Sequence, residues 1–367
     1  MSYELAIQLT GVLCASACSM LGVFLILRRS AMMSDAISHA ILPGIVLGYF
    51  LADGPSLLYG FVGAFLASTL TVTLVAALQR SRKVDEGSAI GLVFPAMFAL
   101  GTVVVSKYFA NVHLDTDAVL YGNIEFSFFD RFIFNDRDLG PMSIWVMGSL
   151  LVLNLIFLLL FYKELKLTTF DGAMAAAIGI SPVFMHYAVM SMLSVTTVGA
   201  FTAVGAILVI ALVIVPAATA LLLTERLSVM LVLAVAIGAV SALAGVEVAF
   251  RLDASVSGSI VMMTGVAFLL ALLFSPSQGM VAGIVRRRRQ RAQFALEVML
   301  GHLLAHEGDA AETSRSNLPA HLNWPAAKVE DLIRTGQRRG YLTNGGETVS
   351  LTARGIEIAE LRGGSAG

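Results

Sequence analysis

Residues 22–51 read GVFLILRRSAMMSDAISHAILPGIVLGYFL. An apolar run closes on Arg28 and Arg29, and a second apolar run follows within a few residues, with Asp35 and His39 set into its start. Crossing the ~30 Å hydrocarbon core of a bilayer takes about 20 apolar residues per helix. The stretch therefore reads as the end of one membrane span, a short basic turn and a second span.

The same pattern extends outward from it, with apolar segments at 5–27, 35–52, 57–78, 88–106, 142–161, 184–200, 203–223, 228–250 and 256–274. Of the 367 residues, 57% are hydrophobic and only 13% charged, where an ordinary globular protein carries roughly a quarter of its residues as charged. Most of the chain is thus expected in lipid. Gly199, Gly205 and several threonines interrupt 184–200 and 203–223, which leaves open eight spans plus a broken or re-entrant segment. Residues 1–284 are expected to form an all-α polytopic membrane domain of about eight to nine transmembrane helices. The first apolar run is too long for a cleavable signal peptide, and its arginines follow rather than precede it.

Lys and Arg concentrate in short cytoplasmic loops. Arg28 and Arg29, Arg80 to Lys83, Lys163 and Lys166, Arg226, and Arg286 to Arg289 fall on one side if nine spans alternate. That side is expected to be the cytoplasm, with the C-terminus inside the plasma or inner membrane. The only cysteines, Cys14 and Cys18, lie one helical turn apart in the first span. They suit small-residue packing between helices, with soft metal ligation as the alternative.

Residues 285–367 change to soluble character. Helices are expected at Phe294 to His306, at Leu318 to His321, and from Pro325 to Arg339, where Gly340 supplies a stop. Two short strands are expected within Tyr341 to Leu351 around Asn344-Gly345-Gly346. Helix, helix, helix and hairpin in that order describe a small α+β winged-helix domain.

Asp35 and His39, four residues apart, share one helical face. Ionisable groups in a membrane helix are costly and point to function. A carboxylate and an imidazole at this spacing can reach one divalent cation, with donors suited to manganese, iron or zinc. An Asp–His hydrogen bond that pins two helices is the plain alternative.

These residues also carry a resemblance. Gly22 to Leu25, Leu27-Arg28-Arg29, Asp35 to Ala40 and Leu42-Pro43-Gly44 resemble, in order, the opening motifs of permease subunits of the manganese/zinc/iron ABC importer family (ABC-3 type). The likeness recurs at Ala89 to Phe94 with Ala99 to Gly101, at Leu114-Asp115 with Leu120 to Ile124, at Val204 to Ala220, and at Leu252-Asp253 with Ser257 to Val261.

The resemblance implies the fold of a type II ABC importer permease and assigns Asp35 and His39 to the path of the ion. It also implies that Phe170, Asp171, Gly172, Ala175 and Gly179 form the coupling helix that docks on an ATPase subunit; a cytoplasmic hairpin of no special role is the plain alternative. Asp171 there can cap a short helix. No Gly-x-x-x-x-Gly-Lys-Ser/Thr loop occurs in the chain, so ATP is expected to bind a separate partner and the chain itself not to be an enzyme. An extracytoplasmic metal-binding protein would hand over the ion, and a second copy or a sister permease would complete the path. The metal is cargo, and no tightly bound cofactor is expected.

Three further sets of residues are weaker candidates. Glu247, near the outer end of the eighth span, either lines the path or snorkels to the interface. His113, Asp115 and Asp117 could receive metal outside, or simply be solvated. His302 and His306, one turn apart, are candidate ligands of a regulatory metal, or surface histidines.

The tail from Leu318 to Ala359 resembles the winged helix of iron- and manganese-dependent repressors, which share its closing Leu-Thr-x-x-Gly-x-x-x-Ala pattern. After Ala359 there is no histidine or cysteine, in contrast to the metal ligands and dimerisation region of those repressors. From Arg286 onward 12 basic residues face 9 acidic ones, and most of the excess is the Arg286 to Arg291 run, which suits anionic lipid. On the helix that would read DNA, Lys328, Arg334, Arg338 and Arg339 are mixed with Glu330 and Asp331. A regulatory or assembly role is expected rather than DNA binding.

The leading expectation is thus an ABC permease for divalent metal. The alternative is a membrane-tethered, metal-responsive regulator with a winged-helix DNA-binding domain, which leaves the Phe170 to Gly179 segment without a purpose. An ion-gradient-driven transporter would want an internal repeat and more buried acids.

Overall fold

The computed structural model of the chain describes residues 2–52, 57–81, 83–108, 124–134, 137–275, 279–343 and 346–363. Two compact units emerge, Met1–Gly279 and Met280–Gly367.

The first unit is a helical bundle. Its helices are α1 (Tyr3–Leu27), α2 (Met32–Leu51), α3 (Leu57–Arg80), α4 (Glu86–Tyr108), α5 (Met142–Leu160), the short α6 (Tyr162–Phe170) and α7 (Gly172–Ala177), then α8 (Pro182–Val204), α9 (Ala206–Leu223), α10 (Leu227–Leu252) and α11 (Val256–Phe274). Among the described residues, nine of these are long and apolar enough to cross a membrane. Serines begin three of them: Ser2, Ser181 and Ser255 each accept from a backbone N–H in the first turn of α1, α8 and α11, which satisfies one of the donors that a helix start leaves unpaired.

Helix α1 is the hub. It packs against α10, α9, α5 and α8, and 78% of its central residues are shielded, against 59% for α2, the next most buried. The reason lies in its composition. Lipid tails are as apolar as leucine, so membrane helices associate by close packing of small residues and by hydrogen bonds between helices. From Gly11 to Gly22 the helix carries glycine, alanine, serine and cysteine on most positions. At Gly22 the backbone of α9 comes so close that a Cβ would collide with the Val213 carbonyl oxygen.

Buried polar ties complete the hub. The fully buried Asn154 on α5 donates its Nδ2 to the Ala17 carbonyl at 3.2 Å and meets Thr196 Oγ1 of α8 at 2.9 Å. Thr10 and Ser143 hydroxyls lie 3.2 Å apart. Cys14 and Cys18 are buried free thiols whose sulfurs are 4.0 Å apart along one helix, a placement that serves packing.

Helix α2 packs against α3, α4 and α8. Its crossing with α3 is tight, since Gly44 and Gly63 each approach the other's carbonyl. Between α8 and α9 stands a single residue, Gly205, with φ +83 and ψ 165, a conformation that glycine alone adopts at little cost. The weak apolar pair at 184–200 and 203–223 thus resolves into two helices joined at one glycine.

One feature of this unit has no counterpart in the sequence reading. A short antiparallel hairpin of β1 (Arg131–Phe134) and β2 (Arg137–Pro141) follows a 3₁₀ turn at Ile124–Phe128. His113, Asp115 and Asp117 lie outside the described residues.

The second unit contains α12 (Met280–Ala305), α13 (Leu318–His321), α14 (Ala326–Arg338) and α15 (Ala353–Gly363). Its core joins Leu296, Met299, Leu300 and Leu303 with Leu318, Val329, Leu332, Ile333, Leu342, Val349 and Ala359. The helix expected from Phe294 begins earlier, at Met280, and runs unbroken through the arginine-rich stretch.

The two strands expected within Tyr341 to Leu351 are reduced to isolated bridges, Leu342 with Leu351 and Ser314 with Thr348. The segment is too short to extend a ladder, and Asn344 and Gly345 lie outside the described residues. Helix α15, capped by Thr352 Oγ1 accepting from Gly355 N at 3.1 Å, was not foreseen.

The hub makes a direct prediction. Gly22→Val should prevent α1 from seating on α9 and abolish recovery of a monodisperse protein in size-exclusion chromatography. Gly91→Ala, where a Cβ meets open space, should leave the elution profile unchanged.

Candidate cation site and coupling segment

Asp35 lies in the first turn of α2, where the positive end of the helix dipole favours a carboxylate. His39 follows one turn later, and its Nε2 lies 3.4 Å from Asp35 Oδ1. The two side chains stay partly open, 42% exposed for Asp35 and 27% for His39. Two aromatic rings of α4 wall the imidazole: Phe94 at 5.0 Å between ring centroids and Phe98 at 5.9 Å, edge to face. These phenylalanines pack beside the ring, whose Nε2 faces the carboxylate. Sequence reading did not single them out as site residues, although two aromatics four residues apart carry the same helical signal that exposed Asp35 and His39.

The structure does not bring Glu247 to this pair. Its carboxylate is engaged by Arg251 one turn on, with Nη2 at 2.6 Å and Nε at 2.7 Å. Both side chains are largely solvent-facing, the arrangement of an interfacial ion pair. Among the described residues, the only set of three or more potential ligands drawn together is His302, His306 and Glu312 in the second unit.

The Phe170 to Gly179 segment runs from the last residue of α6 through α7, and the two helices pack together as a hairpin. Asp171 caps α7, its Oδ1 accepting from Met174 N at 2.8 Å. The other end closes on Gly179 at φ +88, with Ile180 N bonded to Ala175 O at 2.9 Å and Gly179 N to Ala176 O at 3.1 Å. This paired closure through a left-handed glycine satisfies the last carbonyls of the helix. Ala175 is buried inside the hairpin. Phe170, Met174 and Ile178 are each more than half exposed, so a short rigid helix presents apolar tips to its surroundings.

Arg28 ties this hairpin to the hub. Its Nε donates to Thr169 Oγ1 at 3.2 Å and its Nη2 to Thr168 Oγ1 at 3.1 Å. Burial pulls the guanidinium below its ordinary value, yet an arginine side chain stays a cation in proteins. The contact puts the α1–α2 turn and the hairpin at one end of the bundle, as alternation of nine spans requires. No spacing in the sequence signals it, because 140 residues separate Arg28 from Thr168.

A multi-span helical domain with potential ion ligands at the start of its second helix and an apolar-tipped hairpin at the same end has the build of a transporter subunit. The sequence profile of the ABC 3 transport family matches residues 3–275, and the chain belongs to that family.

Two relatives illustrate the likeness. The zinc transport system membrane protein TroD of Treponema pallidum (strain Nichols) is 43% identical over 359 residues, covering 97% of this chain and 98% of its own length. The manganese transport system membrane protein MntD of Bacillus subtilis (strain 168) is 44% identical over 286 residues, 78% of this chain and 97% of its own. Among solved structures, PsaBC from Streptococcus pneumoniae in complex with Fab is similar with a TM-score of 0.64 at 27% identity, covering 76% of this chain and 94% of that one. The similarity to TroD thus reaches into the second unit, which the family profile does not cover.

Losing the Asp171 cap should loosen α7 specifically. Asp171→Ala should cost about 1 kcal/mol of local stability, read as roughly fivefold faster amide hydrogen exchange from Met174 to Ile178. Asp171→Asn, which can still cap, should exchange close to the parent rate.

Proposed function

We propose that the chain is the membrane permease subunit of an ABC importer for a divalent first-row metal ion, with manganese the first choice and zinc or iron next. The observation that carries the reading is the Asp35–His39 pair, 3.4 Å apart and partly open, in a chain of this family. One oxygen and one nitrogen donor suit manganese, iron or zinc alike. Relatives named for zinc and for manganese are about equally similar, so the order of metals rests on the repressor-like tail.

Two protein ligands are fewer than the four that hold a resident metal. That suits an ion in transit, which has to be bound well enough to enter and loosely enough to leave. Water and a second permease, identical or a sister, would supply the remaining ligands. The reading assigns the Phe170 to Gly179 hairpin to a separate ATPase subunit, whose docking surface would receive Phe170, Met174 and Ile178. An extracytoplasmic binding protein would deliver the ion at the opposite end.

The basic turns support a reading in which the hairpin end and the second unit face the cytoplasm. We read the second unit as a winged-helix-like module with a regulatory or assembly role. DNA is not the partner we assign, because Glu330 on α14 engages both Arg315 and Arg334 and Lys328 sits over the Trp324 ring at 3.9 Å.

Proteoliposomes holding the chain with its ATPase and binding protein test the proposal through ATP-dependent uptake of radioactive manganese. Asp35→Ala and His39→Ala should each lower uptake at subsaturating metal by about tenfold or more, the loss expected when roughly 1.4 kcal/mol or more of ion binding disappears. The complex should still assemble. Undiminished uptake in both variants would reduce the pair to a helix-pinning hydrogen bond.

A further inference from the structure

We infer that the second unit carries its own binding site for a divalent transition-metal ion, formed by His302, His306 and Glu312 and steadied by His321. This site stands on the second unit alone and does not rest on the transport reading.

His302 and His306 are one helical turn apart at the end of α12, so their rings share a face, and the ring centroids are 4.5 Å apart. The segment that follows folds back to bring Glu312 beside them. One donor atom from each of the three residues lies within 4.8 Å of the others. Bonds of ~2.0–2.2 Å to a bound ion set ligand atoms roughly 3–4 Å apart, so closing on the ion asks for side-chain shifts of about half an ångström.

The hydrogen-bond chemistry of each residue points the same way. His306 Nδ1 lies 3.0 Å from the His302 carbonyl oxygen. A carbonyl can only accept, so Nδ1 carries the proton, and in the neutral ring Nε2 is left with a free lone pair. Donation from one ring nitrogen to a backbone carbonyl is how metal-bound histidines are commonly oriented.

The Nε2 of His302 is buried without a hydrogen-bond partner. Its nearest carboxylate oxygen, Glu312 Oε2, is 3.6 Å away, beyond hydrogen-bond range. A cluster held only by hydrogen bonds leaves this nitrogen unsatisfied, whereas an ion between the two groups satisfies both.

Glu312 Oε2 is 3.0 Å from His321 Nδ1, and the His321 ring stacks on His302 with centroids 6.1 Å apart. His321 lies outside the mutually close set, so it is a positioning residue that aims the carboxylate from α13. Two imidazoles and one carboxylate select a first-row divalent ion over magnesium or calcium, which prefer all-oxygen sites. The ion would clasp the end of α12 to the segment that leads into α13, and its binding would stabilise the unit.

The test uses the full chain purified in detergent with Asp35→Ala and His39→Ala in the background, so that any ion on the transport path does not contribute to the count. After chelation, the protein is equilibrated with zinc(II) or manganese(II), and bound metal is counted by mass spectrometry. Hydrogen exchange across residues 296–322 is followed in parallel. One zinc per chain is expected, held more tightly than manganese, together with slower exchange on binding. His302→Ala and Glu312→Gln should each abolish both effects, while His321→Ala should keep the stoichiometry and raise the dissociation constant about 10–100-fold. Zinc binding unchanged in both His302→Ala and Glu312→Gln would overturn the assignment. So would absence of zinc from the background protein while its second-unit amides stay protected.

Discussion

Close approach of backbones along α1 is the constraint on which the rest of the membrane unit depends. In a bilayer the burial of apolar surface gives helices no reason to prefer one another over lipid, so contact distance and buried hydrogen bonds decide the packing. The small residues from Gly11 to Gly22 let α9 and α10 seat on α1, and Asn154 joins α1, α5 and α8 through one amide group. Bonds of this kind contribute only roughly 0.6 kcal/mol each on average in membranes. Their value here lies in fixing register, because a helix displaced by one residue would leave the Asn154 amide in lipid without partners.

From that hub to the candidate cation site the chain is short. Helix α1 ends at Leu27, Arg28 reaches across to Thr168 and Thr169 on the hairpin, and Arg29 takes a left-handed φ of +60 to turn the chain. Asp35 then stands in the first turn of α2. The hairpin that we assign to the ATPase and the carboxylate that we assign to the ion are therefore linked through one turn and one buried guanidinium. On that proposal, a displacement of the hairpin would have a short route to the ligands.

Much of this was legible in the sequence because lipid imposes simple rules. Apolar segments pointed to eight or nine spans, of which nine stand among the described residues, and the cost of placing Asp35 and His39 in such a segment marked them as candidates. The Asp171 cap was equally readable, since it acts within one turn. Contacts distant in sequence were not readable. Arg28 with Thr168 depends on how α1 and α6 pack, whereas the pairing of Glu247 with Arg251 lies within one turn. In the second unit the His302–His306 pair followed from spacing, whereas Glu312 and His321 joined it only through the fold of an irregular segment. The expected strand pair around Asn344 was overestimated, because turn residues flanked by β-branched ones signal a hairpin without specifying how many rungs it makes.

The ion's position is read most directly by anomalous diffraction at the manganese absorption edge from crystals of the assembled transporter equilibrated with manganese(II). If Asp35 and His39 hold the ion, an anomalous peak lies between the Asp35 carboxylate and His39 Nε2, at ligand distances of roughly 2.0–2.2 Å. Manganese peaks in the membrane unit only at other residues, with Asp35 and His39 still paired to each other, would contradict it.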